Sequence, residues 1–169
     1  MKKVKFILLS LIILCCFSGF SQAKKKADKD THVFRYEIEC AGVGVEGSYL
    51  VKVWSFSKKP VIAFEQSKKN AVHGVIFKGF GANSVAGCQS QRAIAGTPTI
   101  EQQNADYFKK FFSDGGDYMK YVTTSGPIST DVLKIGKEYK VGVVVAVSKD
   151  NLRKDLEAAG IIKGLSSGF

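Results

Sequence analysis

Apolar residues change their spacing several times along this 169-residue chain, and each change predicts an element. Residues 33–41 alternate. Phe34, Tyr36, Ile38 and Cys40 take one face and Arg35, Glu37 and Glu39 the other, the pattern of a half-buried strand. Residues 48–57 alternate as well, but with large groups on both sides. Tyr49, Val51, Val53 and Ser55 oppose Leu50, Lys52, Trp54 and Phe56, which predicts a strand inside the sheet. At Pro60 the period becomes helical, with an apolar stripe through Phe64, Ala71, Val72 and Val75, charged residues including Lys69 mostly elsewhere, and Gly79 as a stop.

Residues 79–98 lose the pattern and read as a long Gly-rich loop. Thr99 and Gln102 have capping-box spacing ahead of a helix with Ala105, Phe108, Phe111 and Phe112 on one face. Residues 117–124 predict another strand, and after Gly126-Pro127 the segment from Leu133 to Glu138 leads into the clearest one, Tyr139 to Val147, with Val143, Val144 and Val145 suggesting burial on both faces. Ser148 can cap a last helix in which Leu152, Leu156 and Ala159 align toward the core. The order predicts an α+β domain: a mainly antiparallel sheet of about four strands with three helices packed on it.

The start of the chain changes the compartment. Lys2, Lys3 and Lys5 form a positive start, Val4 to Phe17 is an apolar run, and a polar end with small residues at Ser21 and Ala23 follows. This is the three-part pattern of a secretory signal peptide, cleaved between Ala23 and Lys24. The apolar run is shorter than the roughly 20 residues a spanning helix needs. A lipid on Cys15 or Cys16 is the minor alternative, since neither fits a lipobox. The expected organisation is a leader at 1–23, a basic flexible arm at 24–32 and one domain at 33–169, with no transmembrane span after cleavage. Destination is periplasmic or extracellular. Removing the leader removes three lysines and lowers the net charge from +10 to +7. The arm, with Lys24, Lys25, Lys26 and Lys29, could meet an anionic envelope surface. No nucleic-acid motif accompanies the charge.

Two cysteines remain after cleavage, Cys40 and Cys88. An even pair in an oxidising compartment suggests a disulfide. Two buried free thiols are the other reading. If Cys88 is free, it could be a nucleophile in the Gly-rich loop with His73 as base. A packing or surface role for His73 is the plainer reading, because no partner is evident locally. Glu37 and Glu39 share a strand face, and paired carboxylates can cut glycosidic bonds, but no aromatic subsite is visible beside them. Asp114 and Asp117 flank two glycines in what reads as a turn rather than a calcium loop. Gly42 to Gly47 has G-x-G-x-x-G spacing, yet it joins two strands instead of entering a helix. No cofactor or metal set follows from these patterns. The tail residues Ile161, Ile162, Leu165 and Phe169 are expected either to pack or to dock a partner.

Three stretches, Glu39 to Gly44, Lys69 to Gly79 and Leu152 to Phe169, resemble small secreted proteins of Gram-negative bacteria. That resemblance implies export and brings no activity with it. More weakly, Ala63 and Ala71 on the helix are similar to envelope domains associated with flagellar assembly and secretion accessories, whereas Phe64 and His73 depart from them. The expected function is an exported, non-enzymatic binding or assembly-accessory domain of the cell envelope, its partner an envelope protein or surface. The alternative is a small secreted hydrolase or thiol enzyme using Cys88 and His73.

Overall fold

A computed structural model describes Lys26, residues 34–124 and residues 131–164. The leader with its cleavage point Ala23–Lys24, the rest of the basic arm, and Leu165 and Phe169 of the tail lie outside the described residues. The fold is α+β, as the pattern predicts. Among the described residues five strands form one antiparallel sheet: β1 (Tyr36–Gly42), β2 (Tyr49–Ser57), β3 (Val122–Thr124), β4 (Asp131–Ile135) and β5 (Glu138–Val147). The lateral order is β1-β2-β5, with β3 and β4 both on the far side of β5. β2 is interior, paired to β5 from Tyr49↔Val147 to Ser57↔Tyr139. β3 lies opposite Val145–Val147 and β4 opposite Glu138–Gly142, so the two share one edge position.

Among the described residues four helices accompany the sheet: α1 (Pro60–Phe77), α2 (Thr99–Gln103), α3 (Ala105–Phe111) and α4 (Lys149–Ala158). Pro60 occupies the first turn of α1, where its missing amide costs nothing. Gly79, at φ +66°, ends the helix by donating its amide to Gly74 O at 2.8 Å. α1 does not keep the charged face its spacing predicts. It is buried on both flanks: Ser67, Asn70 and Gly74 face the sheet, while His73, Phe77 and Lys69 meet an aromatic layer of Phe108, Phe112 and Tyr118. Lys69 is 5% exposed, and burial pulls its pKa down to about 8 against the opposing charge of Asp114. Phe64, expected on the buried stripe, is only half-buried.

Other local expectations are corrected by tertiary packing. Residues 117–124 are not one strand. Asp117–Tyr121 forms a 3-10 helix that buries Tyr118 and Tyr121, and only Val122–Thr124 pairs with β5. The helix expected after Thr99 breaks at Asn104, whose side chain donates to Ile100 O at 3.0 Å. No capping box forms there: Pro98 stands at the N-cap, and Thr99 Oγ1 pairs with Thr97 Oγ1. Ser148 does precede α4, but its hydroxyl accepts from Asn151 Nδ2 instead of capping a backbone amide. Leu152 and Leu156 are fully buried, whereas Ala159 is exposed. Val143 and Val145 are buried, while Val144, on the opposite face, is only half-buried.

Cys40 at the end of β1 is bonded to Cys88, with Cα atoms 5.6 Å apart. The bridge pins the Gly-rich loop to the sheet. The loop is further held by a Phe80–Gln91 bridge and by Ile94 and Ala95 amides donating to Val75 and Ile76 carbonyls. A link closing a loop of 48 positions constrains the unfolded chain, and the expected loss in a Cys40→Ala/Cys88→Ala variant is about 2–4 kcal/mol. Urea unfolding with and without reductant checks this: reductant should destabilise the wild type toward the double variant and leave the variant unmoved.

Candidate functional site

His73 finds partners that no local spacing reveals. Its Nδ1 lies 2.7 Å from Tyr36 Oη on β1, and its Nε2 lies 3.1 Å from Glu101 Oε1 on α2. Phe34 stacks on the imidazole at 3.5 Å between ring centroids, and Phe77 and Phe112 flank it. A neutral ring satisfies both contacts when Tyr36 donates to Nδ1 and Nε2–H donates to Glu101. Burial raises the Tyr36 pKa far above that of a free tyrosine, with the Glu101 charge adding to it, so the hydroxyl stays protonated. This cluster ties β1, α1 and α2 together. Cys88 is bonded to Cys40 and so offers no thiol for His73 to activate.

The carboxylates Glu37 and Glu39 do share a face, and that face carries an aromatic group after all. Antiparallel pairing sets Glu37 opposite Trp54 and Glu39 opposite Lys52. Signals in both segments pointed there, since Trp54 and Phe56 already stood opposite the core positions of β2. Only the β1–β2 register places them beside the two glutamates.

This open face is built from named pairs. The indole of Trp54, the chain's single tryptophan, lies across Gly142 of β5, where a Cβ would come within 2.7 Å of the ring. Trp54 Nε1 donates to Glu39 at 2.9 Å. Lys52 and Lys140 approach the same ring at 4.5 and 5.0 Å from its centroid. Lys140 pairs with Glu37 at 2.6 Å, Lys52 with Asp131 at 2.5 Å, and Arg35 with Glu138 while also lying over the Phe56 ring. Exposed pairs of this kind contribute about 0–1 kcal/mol each; here they fix the side chains around the aromatic ring. Three cations therefore meet four carboxylates, close to neutral in sum. Glu37 is 60% exposed and Glu39 is committed to the indole, so neither sits in the apolar pocket that equips a glycosidase acid.

The remaining candidates fall elsewhere. Ile162 is buried and Ile161 packs against the core, their amides both reaching Leu156 O. Asp117 starts the 3-10 helix and pairs with Lys120 at 2.6 Å. Gly42 to Gly47 joins β1 to β2, as its flanking patterns predict. Among the described residues no group of His, Cys, Asp and Glu is arranged to hold a metal ion, and no helix is long and apolar enough to cross a membrane. Compared with protein-family models, with curated proteins and with solved structures, the chain finds no match.

Two predictions test this geometry. Burial lowers the His73 pKa, a nearby Lys78 charge adding to it and the Glu101 hydrogen bond and charge opposing it. The unfolded chain thus takes up this proton more readily than the folded one. The His73 contribution to stability is whole above the unfolded value of about 6.5 and is lost as pH falls toward and through the lower folded value. The melting temperature of His73→Gln should fall less steeply below pH 6.5 than that of the wild type; parallel profiles would rule the linkage out. Separately, Gly142→Ala forces a Cβ into the indole and should cost about 1–3 kcal/mol with a red shift in tryptophan emission. An unshifted spectrum would mean that Trp54 does not lie on Gly142.

Proposed function

We propose that the chain is an exported binding domain of the cell envelope and that the open face of the sheet is its binding surface. The observation that carries this reading is Trp54: a half-buried indole laid flat on Gly142 and ringed by ion-paired side chains. Aromatic side chains with a polar rim are favoured where one surface meets another, because the ring supplies contact area at low entropic cost. The cations on this face are already matched by carboxylates, so it suits a neutral polar ligand better than a polyanion. An envelope glycan has that chemistry. The C–H face of a sugar stacks on an indole, and its hydroxyls bond to flanking carboxylates and ammonium groups. Export is supported by the leader pattern and by the Cys40–Cys88 bridge, which suits an oxidising compartment. The basic arm offers a second, weaker contact to anionic envelope material.

Sedimentation with purified insoluble cell-wall glycan tests the proposal. Trp54→Ala should weaken association by tenfold or more while the protein still unfolds cooperatively. Retained binding in Trp54→Ala, together with loss on deleting residues 24–32 or raising salt, would move the binding surface to the arm and overturn the reading.

A further inference from the structure

The two edges of the sheet are treated differently. On β1, two outward carbonyls are taken up by neighbouring side chains: Asn83 Nδ2 donates to Cys40 O at 2.8 Å and Lys78 Nζ to Tyr36 O at 3.5 Å. Such cover keeps an edge from templating another strand. β4, on the opposite edge, instead exposes Val132, Leu133 and Ile135 by 42, 52 and 52%. Three apolar residues in a five-residue edge strand form the pattern from which natural sheets are usually protected.

The backbone of β4 also has a defined polarity. Ile135↔Glu138 closes a two-residue turn at Gly136–Lys137, with Gly136 at φ +61°. The closing pair of such a hairpin exchanges both of its hydrogen bonds. By alternation, Asp131, Leu133 and Ile135 direct their N–H and C=O groups to β5, and Val132 and Lys134 direct theirs outward.

We propose that β4 pairs with β4 of a second copy of this chain, antiparallel and centred on Leu133. The register follows from the strand itself. Only centring on Leu133 pairs all five residues. It sets Val132 opposite Lys134 of the second copy and Lys134 opposite its Val132, and these are the positions whose backbone groups point outward. The four resulting main-chain hydrogen bonds close without strain on either β5. Leu133 then meets its own copy as a non-hydrogen-bonded pair, the closer of the two pair types. A shift that centres on Lys134 sets lysine against lysine, which is unfavourable across a strand pair. The two-fold axis is perpendicular to the sheet, so both open faces lie on the same side, and the joined sheet presents two Trp54 rings. The pairing does not depend on what those faces bind.

Five paired residues bury much less than the roughly 800 Å² per partner of a standard interface, so association is weak and concentration-dependent. Sedimentation equilibrium on the mature chain should show monomer at about 10 μM and a rising dimer fraction toward about 1 mM. Leu133→Cys, the native cysteines being bridged, should form a covalent dimer on oxidation, at least fivefold faster than Ile135→Cys, which faces Asp131 of the second copy. Lys134→Pro removes an outward amide and should abolish dimer with little change in melting temperature, since proline is tolerated on an edge. Leu133→Glu, which opposes like charges, should do the same and serves if the proline variant fails to fold. A wild type that stays monomeric at 1 mM, or equal crosslinking of the two cysteine variants, overturns the proposal.

Discussion

Burial of α1 on both flanks is the constraint on which the rest of the fold depends. A helix covered on one side can leave its polar residues in water, but this one carries Gln66, Ser67, Lys69, Asn70 and His73 into the interior. Each buried polar atom must find a partner or cost about 1–3 kcal/mol. On the sheet side, Ser55 answers: Ser67 Oγ lies 3.0 Å from its hydroxyl and Asn70 Nδ2 donates to it at 2.9 Å. On the outer side, Tyr36 and Glu101 bracket His73. Asn70 Oδ1 is the buried side-chain atom that finds no partner among the described residues. These polar contacts fix the helix in one rotation and one height on the sheet, which apolar packing alone does less sharply.

That placement also explains why the two sheet faces differ so much. The inner face is committed to α1 through Val51, Val53, Val141, Val143 and Val145. Among the described residues no helix covers the open face, which solves its exposure differently. Trp54 fills the gap over Gly142, and its polar edge and flanking ion pairs keep the aromatic surface from being a bare apolar patch. A surface organised this way is stable in water and still offers contact area. The disulfide works at the other edge of the same sheet, tying the Gly-rich loop to β1, where Asn83 of that loop donates to Cys40 O.

Local pattern carried far in this chain, and particular residues show where it stopped. The alternation around Tyr36 and Val51 placed β1 and β2, because a period of two with one apolar face has one way to lie on a core. The apolar spacing after Pro60 and the glycine at 79 set the bounds of α1, and Leu152 and Leu156 found the buried face of α4. The two cysteines left after the leader suggested a bridge, though spacing alone left free thiols open.

What the sequence determined by itself was therefore the course of β1, β2, α1 and α4, and the α+β class they belong to. Tertiary structure alone decided the partners. Glu101 reaches His73 across 28 positions, and Trp54 stands beside Glu37 and Glu39 through strand register. Tyr118 and Tyr121 are buried from a 3-10 helix where a strand was expected, Tyr118 under Lys69 of α1 and Tyr121 stacked on Phe111 and donating to Asp155 of α4. Lys69 was drawn inside by the same layer, against its own solvation. The reason is physical. Periodicity reports which face of an element is apolar, whereas packing against a second layer depends on residues distant in the chain, whose approach no local pattern encodes.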